Sequence, residues 1–301
     1  MPELRRLRYF LAVAEELNFT RAAARLRIAQ PALSRQVREL EKELGVRLLE
    51  RTTQSTALTE AGRLLRDRGR ELCAQADLLW RDMRSFAAGA EGGLTLGYSA
   101  STGYGTAPAL LAHLAEHHPG LTVTTRLLPT GEIVAGVADG TLDAGLVRCP
   151  PPLPHLVRTL LRLERQGVLT HDRHPLAGQD EVEVAALAGE RVLMHAREAN
   201  PGHYDAITAV FERAGINPEL RHRQLFDAAH TPVARGSAVS VVGESALPGL
   251  PGGLTWRPLH PPAALEIHLL TRGDAGRPGV GHLLRAAAET SRAHGWLRAP
   301  A

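Results

Sequence analysis

Apolar and polar positions between residues 18 and 51 follow the period of two short helices that lie close together in the chain. Thr20 can cap the first helix, and Pro31 can begin the second, because the first helical position needs no N–H donor. The apolar face of the first helix is Ala22, Ala23 and Leu26. The apolar face of the second, at helical steps of three and four residues, is Leu33, Val37, Leu40 and Leu44.

The second helix also has a cationic row, about half a turn from its apolar face. The row consists of Pro31, Arg35, Arg38 and Lys42, with Ser34 beside it. A helix that is docked on one side and cationic on the other suits a groove lined by phosphates and base edges. The alternative is an ordinary amphipathic helix with a solvated basic side. The Ala-rich helix just before it favours a helix-turn-helix.

The stretch FTRAAARLRIAQPALSRQVRELEKELGVRLLERT, followed by LTEAG, resembles the DNA-binding segment of the LysR-type transcriptional regulators. The resemblance implies a winged helix-turn-helix over residues 1–58, which binds double-stranded promoter DNA. Within it, Arg35 is the residue most expected to contact a base. The residues expected to contact DNA are Thr20, Arg21, Gln30, Pro31, Ser34, Arg35, Arg38, Arg51 and Thr52.

The predicted wing departs from the family pattern. Family members often carry an Arg- or Gly-rich tip that touches the minor groove, whereas residues 53–56 here read Thr-Gln-Ser-Thr. We therefore expect Arg51 and Thr52, at the base of the wing, to contact phosphates.

A long helix is predicted over residues 59–88, with Thr59 as its N-cap. Its apolar residues repeat every seven positions, which is typical of a helix that pairs with a second copy. The predicted dimerisation residues are Leu65, Leu72, Leu79 and Phe86. The alternative is that this helix packs against its own domains. A dimer suits DNA recognition, because its two-fold symmetry matches a palindromic site. We assign residues 59–89 to this linker helix.

Beyond residue 90, strand and helix patterns alternate and predict an α/β architecture with a parallel sheet. We expect two lobes joined by two crossovers, lobe I at about 90–160 and 268–301 and lobe II at about 161–267. The segments TGEIVAGVADGTLDAGLV and LTHDRHPLAG resemble the effector-binding domain of LysR-type regulators, which is similar to periplasmic solute-binding proteins. The resemblance therefore implies a small-molecule effector between the lobes.

Three strand ends converge on the predicted cleft, since ligands of open α/β sheets bind beyond the carboxyl ends of strands. Hydroxyl and N–H groups there, with Arg148 as a fixed positive charge, would suit a carboxylate. The segments HAREANPGHYD and LDAGLVRCP also resemble the family branch that controls aromatic-acid and chlorocatechol degradation. His203 departs from the apolar residue of that branch. The expected effector residues are Ser99, Ser101, Thr102, Thr130, Arg148, Pro201 and His203, and loop capping or surface ion pairing is the alternative for each.

Composition and motifs limit the other function classes. The net charge of the 301 residues is only +3, so any basic surface must be local, and Lys42 is the one lysine in the sequence. Cys73 and Cys149 form no CxxC pair, which predicts neither a disulfide scaffold nor a zinc site. The helical spacing of His113, Glu116 and His117 could bind a metal, but a helix dipole explains it more simply. We expect no cofactor and no metal.

No nucleotide-binding glycine loop, HExxH or GxSxG motif occurs, so we predict that the chain is not an enzyme. We also expect no membrane span and no signal peptide, and hence a cytoplasmic protein. The resemblance implies a homodimer or homotetramer, with RNA polymerase as a further partner. Two alternatives stay open: a solute-binding or metabolite-sensing protein without promoter specificity, and an α/β enzyme with an accessory DNA-binding domain.

Overall fold

The computed structural model describes residues 2–51, 56–87, 93–223, 230–273 and 278–298. The chain forms two compact units, the first comprising Met1–Met83 and Asp139–Thr141 and the second comprising Arg84–Ala138 and Leu142–Ala301. Thr52 lies outside the described residues, as do the side chains of Arg51 and Phe86, so three predicted contacts have no structural account.

Three short helices, a two-stranded sheet and one long helix occupy the N-terminal part of the chain. They are α1 (Pro2–Glu16), α2 (Phe19–Leu26), α3 (Gln30–Leu44), β1 (Leu49–Arg51), β2 (Thr56–Leu58) and α4 (Glu60–Ala87). The antiparallel pair of β1 and β2, with Leu49 opposite Leu58, is the predicted wing. α1, α2 and α3 pack around a core that includes the fully buried Phe10, Val13, Leu33 and Val37.

The ends of α2 and α3 differ in two details from the sequence prediction. Asn18, not Thr20, caps α2, because the helix begins at Phe19 and Asn18 Oδ1 accepts the N–H of Arg21 at 3.0 Å. Leu44 is 47% exposed, so the buried face of α3 ends at Leu40. Gly45, with φ of +68°, ends the helix there.

The surface of α4 divides into a packed part and an exposed part. Thr59 accepts the N–H of Gly62 at 2.9 Å, which confirms the predicted cap. Leu65 is half-buried against the core of the first unit, and a Cβ at Gly69 would lie 2.8 Å from Leu7. This part of the helix therefore packs within its own unit, as the alternative expected. Large exposed apolar residues on α4 are Leu64, Leu72, Leu79, Trp80 and Met83.

The second unit contains a large sheet covered by helices. Its strands are β3 (Gly93–Tyr98), β4 (Thr122–Leu127), β5 (Ala144–Arg148), β6 (Leu156–His171), β7 (Val182–Glu183), β8 (Arg191–His195), β9 (Glu219–Arg223), β10 (Val239–Gly243), β11 (Leu254–His260) and β12 (Ala264–Arg272). Its α-helices are α5 (Ala100–Gly103), α6 (Thr106–His117), α7 (Thr130–Asp139), α8 (Pro201–Arg213), α9 (Thr231–Ala234) and α10 (Pro278–Ala293). Short 3-10 helices lie at Pro175–Gly178, Val184–Gly189, Arg197–Ala199 and Glu244–Gly249.

The strand order is β4-β3-β5-β12-β6-β10-β8-β9, with β11 paired to β6 and β7. β4, β3 and β5 are mutually parallel, and so are β10, β8 and β9. The sheet as a whole is mixed rather than parallel, because β6 and β12 run antiparallel to their neighbours. Each parallel set, covered by helices, is one lobe with its own apolar core.

β6 is the strand that joins the two lobes. Up to Arg165 it pairs with β12, and from Gln166 onward it pairs with β10. The two parallel sets therefore present their strand ends to each other across this junction. Within the described residues, no helix combines the length and the apolar character that a membrane crossing requires.

Candidate functional site

α3 presents its cationic row on the surface of the first unit. Gln30, Pro31, Arg35 and Arg38 are exposed and Ser34 is half-buried. Arg38 Nε donates to the carbonyl of Ser34 at 3.3 Å. Arg35 has no acidic partner among the described residues, so its guanidinium is available to a ligand.

Local contacts hold α3 in place. The chain leaves α2 through Arg27, whose φ of +56° places it in the left-handed region, and two backbone bonds close this turn. Arg6 of α1 pairs with Glu43 at 2.7 Å. Glu41 Oε1 accepts the N–H groups of Leu48 and Leu49 at 2.9 and 3.1 Å, which fastens α3 to the wing. The recognition surface is therefore built on restrained backbone.

Thr20 and Arg21 lie in the first turn of α2 and are exposed. Arg21 donates to the carbonyl of Glu16 at 2.6 Å and lies 3.5 Å from the carboxylate of the same residue. A phosphate contact by Arg21 would therefore compete with Glu16.

A cleft of about 660 Å³ lies between the lobes of the second unit. Ser99–Ser101 and Leu127–Thr130 line one side, and the other side is lined by His195, Ala196, Glu198, Ala199, Asn200 and His203. The cleft lies at strand ends, as the sequence predicts, and contains Ser99, Ser101, Thr130 and His203 of the predicted set.

Thr102 and Pro201 do not line this cleft. The Thr102 hydroxyl is fully buried and lies 2.9 Å from the Ser99 carbonyl and 3.2 Å from the Leu146 carbonyl. It therefore holds the loop after β3 rather than a ligand. Pro201 is exposed at the start of α8. Ser99 Oγ lies 3.2 Å from Ser101 Oγ, so the two hydroxyls are adjacent.

Asn200, a residue outside the predicted set, connects the two lobes at the cleft. Its amide nitrogen donates to Thr130 Oγ1 at 3.4 Å and to the carbonyl of Arg148 at 3.1 Å. Its amide oxygen accepts the N–H of His203 at 3.1 Å and so caps α8. The signal in the sequence was an asparagine directly before Pro-Gly at a predicted helix start.

The fixed positive charge of Arg148, which the sequence analysis expects at the cleft, is compensated within the protein. Its guanidinium is 2% exposed and pairs with the fully buried Glu164 of β6. Arg162 also approaches Glu164, at 3.7 Å, and pairs with Glu244 at 2.8 Å. Burial alone would raise the pKa of Glu164, but Arg148 and Arg162 outweigh it and hold this pKa below its usual value.

The buried charge cluster nevertheless leaves Arg148 donors unused. Within the described residues, Arg148 Nε and Nη1 have no hydrogen-bond partner. Both groups belong to a residue that lines a smaller cavity of about 70 Å³, which shares Ser101, His195 and His203 with the cleft. The imidazoles of His195 and His203 stack with centroids 4.7 Å apart. These two rings give the wall a flat aromatic surface beside aliphatic residues such as Leu193 and Ile207.

A reactive thiol at Cys149 and a metal site at His113, Glu116 and His117 find no support in the geometry. Burial raises the pKa of the Cys149 thiol, which disfavours a reactive thiolate. His113 stacks on His117 and hydrogen-bonds Glu289 at 3.0 Å. No group of three or more potential metal ligands is found among the residues that the structure describes.

Two family profiles match the chain, one over the predicted DNA-binding domain and the linker's start, and the other over the predicted effector-binding domain. Residues 4–63 match the bacterial regulatory helix-turn-helix protein of the lysR family, and residues 87–292 match the LysR substrate binding domain. The chain belongs to the LysR family. This LysR-family protein is 34% identical to the HTH-type transcriptional regulator BenM of Acinetobacter baylyi over 90% of each chain. It is 35% identical to a probable cat1 operon transcriptional activator of Acinetobacter lwoffii over 72% of each chain.

Solved structures of the family share the fold. The crystal structure of CbnR, a LysR family transcriptional regulator, superposes with a TM-score of 0.78 at 26% identity and covers 96% of this chain and 99% of its own. Full-length CbnR has also been solved in complex with its target DNA, and that structure gives a TM-score of 0.76 at 27% identity, covering 95% and 99%. The relatives are named as regulators and activators, in agreement with the prediction that this chain is not an enzyme.

Proposed function

We propose that this LysR-type transcriptional regulator binds operator DNA through α3 and responds to a small organic acid in the cleft between the lobes. The single observation that carries the DNA role is the docked helix α3, whose buried Leu33 and Val37 leave Arg35 and Arg38 at the surface. The likeness to CbnR, solved with its target DNA, supports the same conclusion.

We assign the major-groove contacts to α3 and the phosphate contacts to its surroundings. The major-groove set is Gln30, Pro31, Ser34, Arg35 and Arg38. The phosphate set is Thr20, Arg21, Arg51 and Thr52. Arg35 is the base contact, because an arginine without an acidic partner can grip a guanine with two donors.

Arg35→Ala tests this assignment on full-length protein. A base contact predicts a loss of about 1–3 kcal/mol on a selected operator and a relaxed preference at one base pair. Arg68→Ala on α4 is the matched control. Arg68 is exposed, and its substitution removes the same charge from a different surface. Equal losses on operator and random duplexes would reduce Arg35 to a phosphate contact.

The exposed apolar residues of α4 support self-association. Leu72 and Leu79 are more than half exposed, which leaves them available to a second copy. Phe86 continues this row in the sequence, whereas Leu65 already packs within its own unit. A dimer or a tetramer of this kind would place two DNA-binding units on one palindromic site. RNA polymerase remains a predicted partner.

The cleft suits an acid whose carboxylate lies against hydroxyls and amides. Ser99, Ser101 and Thr130 offer hydroxyls, and the His195–His203 stack offers flat aromatic surface. An aromatic or unsaturated carboxylic acid fits both features. Closure or rotation of the lobes would then change the spacing of paired DNA-binding units, and so the bend of the DNA.

A thermal-shift screen of small mono- and dicarboxylic acids, each beside its uncharged amide, tests the effector role. A true effector at 100 times its Kd stabilises the protein by about 2.7 kcal/mol. Ser99→Ala and Thr130→Val should remove this stabilisation. Footprints on DNA that are identical with and without every stabilising acid would refute the switch.

We place the domain limits at 1–58, 59–89 and 90–301, and the protein in the cytoplasm, where bacterial DNA lies. A metabolite-sensing protein without promoter specificity would bind an acid in the screen but select no duplex from a random pool. That pair of results separates the two functions.

A further inference from the structure

A groove of about 650 Å³ runs along the first unit beside α3. Its lining residues are Arg5, Arg6, Tyr9, Ile28, Ala32, Arg35 and Gln36. α1 therefore forms one wall of a groove whose other wall includes the proposed base contact, Arg35. None of the residues in the lining is acidic.

The three arginines of this groove differ in whether an acidic side chain compensates their positive charge. Arg6 pairs with Glu43 at 2.7 Å, so its charge is compensated within the protein. Arg5 and Arg35 have no acidic partner in the part of the chain that the structure describes. The groove is therefore cationic on both walls.

Arg5 is oriented by its neighbour one helical turn away. Its Nε donates to the hydroxyl of Tyr9 at 2.8 Å, and its Cζ lies 5.4 Å from the centre of the Tyr9 ring. Tyr9 is half-buried and packs against the core of the unit. The guanidinium thus loses little further freedom on binding, and its two terminal nitrogens remain for an acceptor.

We propose that Arg5, positioned by Tyr9, binds a phosphate of the operator backbone next to the base pairs that α3 contacts. DNA that lies against Arg35 continues into the groove, because both residues line it. Contacts to the backbone fix the register of a recognition helix, and an oriented arginine suits a phosphate oxygen pair. The proposal rests on DNA binding by α3 and adds α1 to the protein–DNA interface.

Arg5→Gln and Arg8→Gln form a matched pair for the test. Both remove one charge from α1, but Arg8 pairs with Asp77 of α4 at 2.5 Å and does not line the groove. Fluorescence anisotropy of the full-length protein is measured over a salt series. The two probes are an operator that wild type selects from a random pool and a random-sequence duplex of equal length.

A phosphate contact gives a specific pattern. Arg5→Gln should lower the affinity for both duplexes equally, by about threefold to tenfold. It should also reduce the slope of log affinity against log salt by about 1 for each bound DNA-binding unit. Arg8→Gln should keep the wild-type slope. Arg5→Lys and Tyr9→Phe should bind more weakly than wild type yet keep the slope, because the charge stays while its orientation is lost.

Three results would overturn the proposal. Arg5→Gln could keep the wild-type salt slope, or Arg5→Gln and Arg8→Gln could lose equal affinity for DNA. Arg5→Gln could also lose affinity for the operator alone, which would mean a base contact. Wild type that binds neither duplex would instead refute the regulator function. Circular dichroism melts identify any variant that fails to fold. If Tyr9→Phe fails to fold, Arg5→Lys still tests the orientation of the charge.

Discussion

Replacing Glu164 with glutamine should destabilise the second unit far more than its size suggests. The substitution keeps the shape of a fully buried side chain but removes its charge. Arg162 retains Glu244 as a partner at 2.8 Å, whereas Arg148, 2% exposed, loses its counterion. A buried pair broken on one side costs about 3–5 kcal/mol. In a unit of this size the midpoint of thermal unfolding should fall by roughly 6–20 °C.

Tryptophan fluorescence can report this unit separately. Trp256 and Trp296 belong to it, while Trp80 is exposed on α4. All variants should therefore carry Trp80→Phe, because the two units need not unfold in one step. Glu212→Gln is the matched control, since Glu212 is exposed on α8 and should shift stability by less than about 0.5 kcal/mol. A loss below about 1 kcal/mol for Glu164→Gln would refute the reasoning.

The same pair makes a prediction about pH. The pKa of Glu164 in the folded protein is below its ordinary value of 4.5, so the carboxylate binds its proton more weakly when folded than when unfolded. Its stabilisation is complete at pH values above the unfolded pKa and is lost as pH falls through the folded one. The stability gap between wild type and Glu164→Gln should therefore be constant near neutral pH and close in acid.

Four further substitutions test other parts of the structure. Gly202→Ala would place a Cβ 1.9 Å from the carbonyl oxygen of Cys149, so we expect a loss of about 1–3 kcal/mol in thermal unfolding and weaker effector binding. Asn18→Ala should cost the first unit about 1 kcal/mol, while Thr20→Ala should be near neutral, and melts of both decide which residue caps α2. Leu72→Glu, at a site 55% exposed, should leave folding intact and dissociate the oligomer in analytical ultracentrifugation.

The secondary structure of the first unit could be predicted from the sequence because its signals are local. Helical spacing predicted the faces of α3, and Gly45 and Thr59 stand where capping chemistry requires them. The cap was predicted at Thr20, two residues beyond Asn18, because asparagine and threonine are both good caps. Position along the chain could not decide between them, because the choice depends on where the first helical turn packs.

The second unit held what a linear pattern does not reveal. β6 spans 16 residues, and its first part was not predicted as a strand, because Arg158, Arg162 and Arg165 interrupt its apolar positions. Arg162 is nevertheless buried, since Glu164 and Glu244 compensate it. Arg148 also pairs with Glu164, which lies 16 residues away in the sequence. The compensation of its charge could therefore not be predicted from the residues next to it.

The start of α8 hydrogen-bonds one lobe to the other and also lines the cleft. Asn200 donates to Thr130 and to the backbone of Arg148, while its oxygen caps the helix that carries His203. A carboxylate that accepts the O–H of Thr130 would therefore bind the same hydroxyl that accepts the interlobe hydrogen bond from Asn200. Such a ligand would link occupancy of the cleft to the arrangement of the lobes through one side chain, which is the differential contact that a population shift between two lobe arrangements requires.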